Sequence, residues 1–216
     1  MSTILAKEIK NIEILVSSLS SKVDNNLRKS IESLINRDIN LAKDIIQADK
    51  EIDIMEIDIE EECLKILALH QPVAIDLRFI IAVLKINNDL ERIGDLSSNI
   101  SKVTLLYENT DSFDIPEPIV SMADIVLEML KQSLDSIIFR DSKLTEAIQK
   151  SDNLVDQLHS DVYSLVKSNL ESGFNMWLPI LSVSRYLERI ADHCTNIAED
   201  VEYLVTGNIT RHNQLD

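Results

Sequence analysis

Eight carboxylates in this chain fall into two sets built on one spacing. Asp49 and Asp53 stand four apart, as do Glu91 and Asp95; further along, Asp152 and Asp156 are followed by Glu188 and Asp192. Residues four apart share a helix face. If each pair of motifs lies on an antiparallel helical hairpin, both pairings of the first set centre on residue 72 and both of the second on residue 172. Pro72 breaks helices, and Ser172 is followed by Gly173. Each hairpin would then bring four carboxylates to one level, with Asp53 facing Glu91 and Asp49 facing Asp95, and the same pattern in the second set. In a chain with 37 acidic residues among 216, a single acidic pair four apart is an ordinary solvated helix face. Opposition across a turn, made twice, is not, and the functional reading is preferred.

Converging negative charges need a counter-charge. Arginine, shared protons and a metal ion could each supply it. Arg92 and Arg189 adjoin a motif glutamate and should point about 100° away from it. An all-oxygen donor set suits magnesium, calcium, manganese or iron. Asn99 and Asn196, four residues beyond Asp95 and Asp192, could add carbonyl oxygens or outer hydrogen bonds. Glu56 and His159 hold equivalent places three residues past Asp53 and Asp156; they could be further ligands, but the reading preferred for both is an ordinary helix residue. His70, His193 and His212 have no spaced partner and are read as incidental.

The elements that must carry these groups are helices. Three Gly, four Pro and 4% aromatics give few breaks and little strand preference, and 45% apolar residues allow a sizeable core. Six helical stretches are expected: about 3–35, to about 71, from near Asp76 to Tyr107, after the linker to about Arg140, from the Asp141 cap to near Glu171, and from 175–179 to Val205, with Gly207 ending the last. Asp38 should cap the second. The halves repeat. A shift of 103 carries Arg37, Asp38, Leu41, Ile45, Asp49 and Asp53 onto Arg140, Asp141, Leu144, Ile148, Asp152 and Asp156. A shift of 97 carries Leu90-Glu91-Arg92-Ile93 with Asp95, Asn99 and Ile100 onto Leu187-Glu188-Arg189-Ile190 with Asp192, Asn196 and Ile197. The six residues lost come equally from the two arms of the second hairpin, so the carboxylates stay opposed. The fold class is all-α: two tandem three-helix bundles, elongated, with a first repeat over 1–108, a linker at 109–117, a second repeat over 118–207 and a flexible tail at 208–216.

Charge and motif content exclude several functions. A net charge of −16 opposes binding to nucleic acid or to anionic lipid. The N-terminus lacks a basic segment followed by an apolar one, and no run approaches the ~20 apolar residues of a membrane span. A cytoplasmic protein is expected, with any membrane association at the inner face coming through partners. Cys63 and Cys194 read as buried reduced thiols. There is no glycine-rich phosphate loop, nucleophile elbow or zinc-protease motif, and no Glu-x-x-His of the kind di-iron bundles use.

The stretch LKILALHQPVAIDLR over 64–78, Asp89-Leu90-Glu91-Arg92-Ile93-Gly94-Asp95 with Asn99, and Leu187-Glu188-Arg189-Ile190-Ala191-Asp192-His193 with Asn196 together resemble the PhoU family of phosphate-regulation proteins. The resemblance spans about residues 3–207. It implies tandem three-helix bundles whose acidic motifs hold multinuclear metal clusters, with iron or zinc expected and magnesium or manganese admissible. The ligands it implies are Asp49, Asp53, Glu91, Asp95, Asp152, Asp156, Glu188 and Asp192. It also implies negative control of phosphate uptake and phosphate-starvation signalling, with the ATP-binding subunit of the phosphate transporter and a sensor histidine kinase as partners; homodimer formation stays open. His70 is the one departure noted, and it puts nothing functional in doubt. The glutamine-proline turn at 71–78 occurs only once. A non-catalytic adaptor is the preferred reading, and a carboxylate-bridged helical-bundle metalloenzyme is the alternative.

Overall fold

The computed structural model describes residues 3–108 and 114–208. The helices are α1 (Thr3–Asn36), α2 (Ile39–His70), α3 (Ile75–Leu106), α4 (Glu117–Phe139) and α5 (Leu144–Thr206). Gly173 leaves helical geometry and divides α5 into two arms, so the described residues form six helical rods. Most of the linker, 109–113, and the tail from 209 lie outside the described residues.

The helix ends follow local chemistry. Asp38 accepts a hydrogen bond from the Leu41 amide at 2.9 Å and starts α2. Gln71 takes a left-handed conformation just before Pro72 and ends it. Gly207 closes α5 with φ of 79°, its amide donating to the Tyr203 carbonyl at 2.9 Å. Two expected boundaries move. Asp141 turns the chain through the Lys143 amide at 3.0 Å, but α5 starts only at Leu144. The last rod starts directly after Gly173, so Pro179 stands in its second turn and removes a helical hydrogen bond.

Packing uses a heptad-like seam. In α1 the buried residues Ile9, Ile12, Val16, Leu19 and Val23 alternate by three and four. In α2 the fully or nearly buried Ile45, Ile52, Ile59 and Ile66 recur every seven, and the other seam line runs through Asp49, Glu56 and Cys63. The repeat puts Ile148, Val155 and Val162 on the first line of α5 and Asp152, His159 and Val166 on the second. Asp49 and Asp152 therefore stand at places where a plain bundle would carry apolar residues.

Helices α1, α2 and α3 pack as one bundle; α4 and the two arms of α5 form the other. α3 is shared, packing on α1 and α2 and also on α5, and it buries Ser97, Ser98, Ser101 and Thr104 beside Ile93 and Ile100, with Thr104 Oγ1 meeting Ser33 Oγ of α1 at 3.3 Å. Apolar residues cross the seam between the repeats, with Ile31, Leu34 and Ile100 meeting Ile119, Val183 and Leu187, and polar contacts pin it. His193 Nδ1 lies 2.7 Å from Asp89 Oδ1, Asn196 Nδ2 lies 3.4 Å from the same oxygen, and Lys85 Nζ lies 3.4 Å from the buried Asp200. His193, read from sequence as incidental, is thus part of the contact that docks the two bundles.

Candidate metal centre

Two antiparallel hairpins position the carboxylates: α2 against α3, and one arm of α5 against the other. In the first, Asp53, Glu91 and Asp95 each bring one oxygen within 4.8 Å of the others. Asp49 lies deeper, close enough to Asp95 and Asp53 to be raised by both. In the second, Asp152 is raised by Asp192, Asp156 and Glu188. Both hairpins thus bring their four motif carboxylates into one neighbourhood, but among the described residues only the first closes three of them to that distance.

These groups sit at the edge of the core and carry the cost of it. Asp49, Glu91, Asp152 and Asp192 all hold their protons more tightly than usual, first because burial penalises the ionised form and then because neighbouring carboxylates repel it. Asp152 is pushed up to about 6. Among the described motif carboxylates, three oxygens are buried without a hydrogen-bond partner: Asp49 Oδ1, Glu91 Oε2 and Asp152 Oδ1. A buried acceptor left unpaired is expensive, and one such atom in each of three motif positions marks places where a cation fits. The donor set is carboxylate oxygen, suited to hard or borderline cations. Asp49, Asp53, Glu91 and Asp95 would hold one group and Asp152, Asp156, Glu188 and Asp192 the other.

The arginines divide. Arg92 Nε approaches Glu91 Oε2 at 3.2 Å, and its Nη1 reaches Asp95 Oδ2 at 3.0 Å. The expectation that it points away considers Glu91 alone: Arg92 also stands three residues before Asp95, a spacing that shares a helix face, and from there its long stem brings Nε past Glu91. Its contact with Glu91 lacks hydrogen-bond alignment, so that oxygen remains unsatisfied. Arg189 acts on Asp192 only as a nearby charge. The two asparagines are engaged elsewhere: Asn99 Oδ1 accepts from Lys102 at 3.0 Å, and Asn196 turns to Asp89 across the repeat seam.

Sequence reasoning set aside Glu56 and His159, and the structure places both at their clusters. Asn87 Nδ2 donates to Glu56 Oε1 at 3.1 Å and to its backbone oxygen at 2.9 Å. Burial and then Glu60 and Asp53 raise Glu56. His159 Nε2 lies 3.8 Å from Glu188 Oε2 while its Nδ1 meets Ser184 Oγ at 2.9 Å. The available signal was their seam position, where a polar residue interrupts an apolar line. The cysteines are inert by comparison: both are free and buried, and burial pushes the Cys63 thiol up to about 12.

The comparisons with known proteins agree with this architecture. The PhoU domain model matches residues 16–104 and again 119–201. A phosphate-specific transport system accessory protein PhoU homolog of Aquifex aeolicus is 35% identical over 98% of this chain and 97% of its own. The accessory protein PhoU of Escherichia coli is 31% identical over 95% of this chain and 86% of its own. The crystal structure of PhoU from Pseudomonas aeruginosa superposes with a TM-score of 0.90 at 31% identity, covering 94% of this chain and 99% of that one. With both repeats matched by the domain model and relatives similar along nearly their whole length, this chain belongs to the PhoU family.

Proposed function

We propose that this protein is a metal-binding, non-catalytic regulator that restrains phosphate uptake and phosphate-starvation signalling from the cytoplasm. Its partners would be the ATP-binding subunit of the phosphate transporter and the sensor histidine kinase. The regulatory part of this reading is supported by family membership and by relatives named as accessory proteins of phosphate-specific transport. The metal part rests on one observation above all: the duplicated carboxylate clusters with their unpartnered buried oxygens. A bound cation would supply positive charge that holds each hairpin together at its acidic level. The residues of this chain do the rest, with the seam carboxylates Asp49 and Asp152 setting depth and Asp53, Glu91, Asp156 and Glu188 closing from the sides.

No described helix is long and apolar enough to cross a membrane, so contact with a transporter would be made through protein. The turn between α2 and α3 is the surface to test. Leu69, Val73 and Ile75 are at least 65% exposed there, close together on one tip. Arg78, in the same stretch, is a poorer probe: a side chain at Gly207 would meet its guanidinium at 2.5 Å, so Arg78 covers the end of α5. Val73→Asp should therefore weaken co-purification with the ATP-binding subunit or the kinase while leaving melting and metal content unchanged. Tight, salt-resistant binding to duplex DNA, with no binding to either partner, would overturn the regulatory reading.

A further inference from the structure

The two clusters differ at one seam position, Glu56 in the first and His159 in the second, and the surrounding contacts differ to match. Asn87 and Ser184 occupy equivalent places on the opposing helices, and each touches that residue. Ser184 is fully buried, and its hydroxyl donates to the Leu181 carbonyl at 2.9 Å. A hydroxyl has one proton to give. With that proton on the carbonyl, Ser184 Oγ is left to accept from His159, the arrangement that puts the ring proton on Nδ1. In the neutral ring this leaves the lone pair on Nε2, the nitrogen facing Glu188 Oε2 at 3.8 Å. A histidine whose far nitrogen donates to a fixed acceptor while the near one faces carboxylates is oriented as metal-bound imidazoles are. Asp152 Oδ1, two turns before His159 on the same seam line, is buried and unpartnered.

We infer that His159 is a nitrogen ligand, and that the second cluster consequently selects a borderline cation such as zinc while the first, with Glu56 in its place, is an oxygen-only site for harder cations such as manganese. The inference rests on the metal reading above and deepens it. Imidazole favours zinc, copper and nickel, whereas carboxylate sites suit magnesium and manganese. One molecule would then carry two unlike metals on two copies of the same hairpin. Ser184 acts as a positioning residue, holding the ring through Nδ1.

The test uses the full chain, freed of metal, with zinc or manganese added alone. Asp53→Asn with Asp95→Asn leaves only the second site; Asp156→Asn with Asp192→Asn leaves only the first. Calorimetry on each should give a zinc-over-manganese preference at least about tenfold larger for the second site, as expected for one added imidazole among oxygens. X-ray absorption of the zinc-loaded second site should show imidazole scattering. His159→Glu should remove that signal and reduce zinc affinity about tenfold or more. Ser184→Ala should weaken zinc binding in the same direction, and Glu56→His should transfer the preference to the first site. Zinc binding that is unaffected by His159→Glu and shows no imidazole signal would overturn the inference and leave the metal reading standing. Failure of both sites to bind either metal would overturn both.

Discussion

The first and second carboxylate clusters share a motif and differ in how well their surroundings tolerate it. Around the first, Arg92 contacts Glu91 and Asp95, and a Ser98 hydrogen bond and the Lys102 charge both ease Asp49. The equivalent positions in the second repeat are Arg189, Thr195 and Glu199. Arg189 acts at a distance, Thr195 spends its hydroxyl on the Ala191 carbonyl at 3.2 Å, and an acid stands where the first repeat has lysine. Every neighbour acting on Asp152 raises it. The first cluster is partly neutralised by protein and closes to 4.8 Å; the second is left to protons or to a cation. Identical spacing thus fixes which carboxylates meet, and the residues one turn away decide what they need once they have met.

Metal should separate the two most strongly. A cation that binds only the folded state stabilises it by about 2.7 kcal/mol at a hundredfold excess over its dissociation constant. Thermal melting with and without zinc or manganese should show that gain. Asp192→Asn should remove most of it from the second cluster and Asp95→Asn from the first. Equal gains in both variants and in the unaltered protein would break the assignment.

Next in size is a pH effect centred on the second cluster. Asp152 holds its proton up to about pH 6 when folded and to an ordinary carboxylate value when unfolded. Its contribution to stability is therefore present below pH 4 and lost as the pH rises through 6. For a half-exposed group the loss is on the order of 1–2 kcal/mol after allowing for solvent screening. Metal-free protein should melt higher at pH 5 than at pH 7, and Asp152→Asn should flatten this slope while raising stability at neutral pH. An unchanged slope in that variant would place the effect elsewhere.

Packing beneath the clusters offers a smaller contrast. A side chain at Gly94 would meet Ile52 Cδ1 at 3.0 Å and Asp49 Oδ1 at 3.4 Å. The second repeat has Ala191 and Val155 at the equivalent places, both fully buried, so one carbon has moved from one helix to the other. Gly94→Ala should cost about 1 kcal/mol, overpacking outweighing the gain in helix propensity. Ile52→Val added to it should restore most of that loss. Denaturant unfolding of the single and double variants measures both steps, and a neutral single variant would show that Ile52 yields freely. Smallest is Arg92→Gln, which should destabilise metal-free protein by under about 1 kcal/mol, as for other exposed ion pairs; a larger loss would mean that Arg92 and not metal is the first cluster's main counter-charge.

Much of this was legible in the chain because it is local or repeated. Pro72, Gly207 and the Asp38 cap mark ends that the backbone obeys, and the shared midpoints of the acidic motifs follow from helical rise alone. The contacts that were not legible depend on side-chain reach or on docking between bundles. Arg92 reaches Asp95 at the ordinary three-residue helix spacing, but its approach to the adjacent Glu91 depends on the reach of its stem, which spacing does not report. His193 and Asn196 meet Asp89 only because α3 lies against α5. Glu56 and His159 were passed over as helix-face residues, since their ties to Asn87 and Ser184 appear only when the opposing helices are brought into register.

Anomalous scattering from crystals of zinc- or manganese-loaded protein locates the metal directly. Strong peaks are expected among Asp49, Asp53, Glu91 and Asp95 and among Asp152, Asp156, Glu188 and Asp192, with each hairpin's carboxylates drawn in around them. Crystals grown in millimolar metal with no peak at either cluster, their carboxylates instead bridged by protons or by Arg92 and Arg189, would contradict metal binding there.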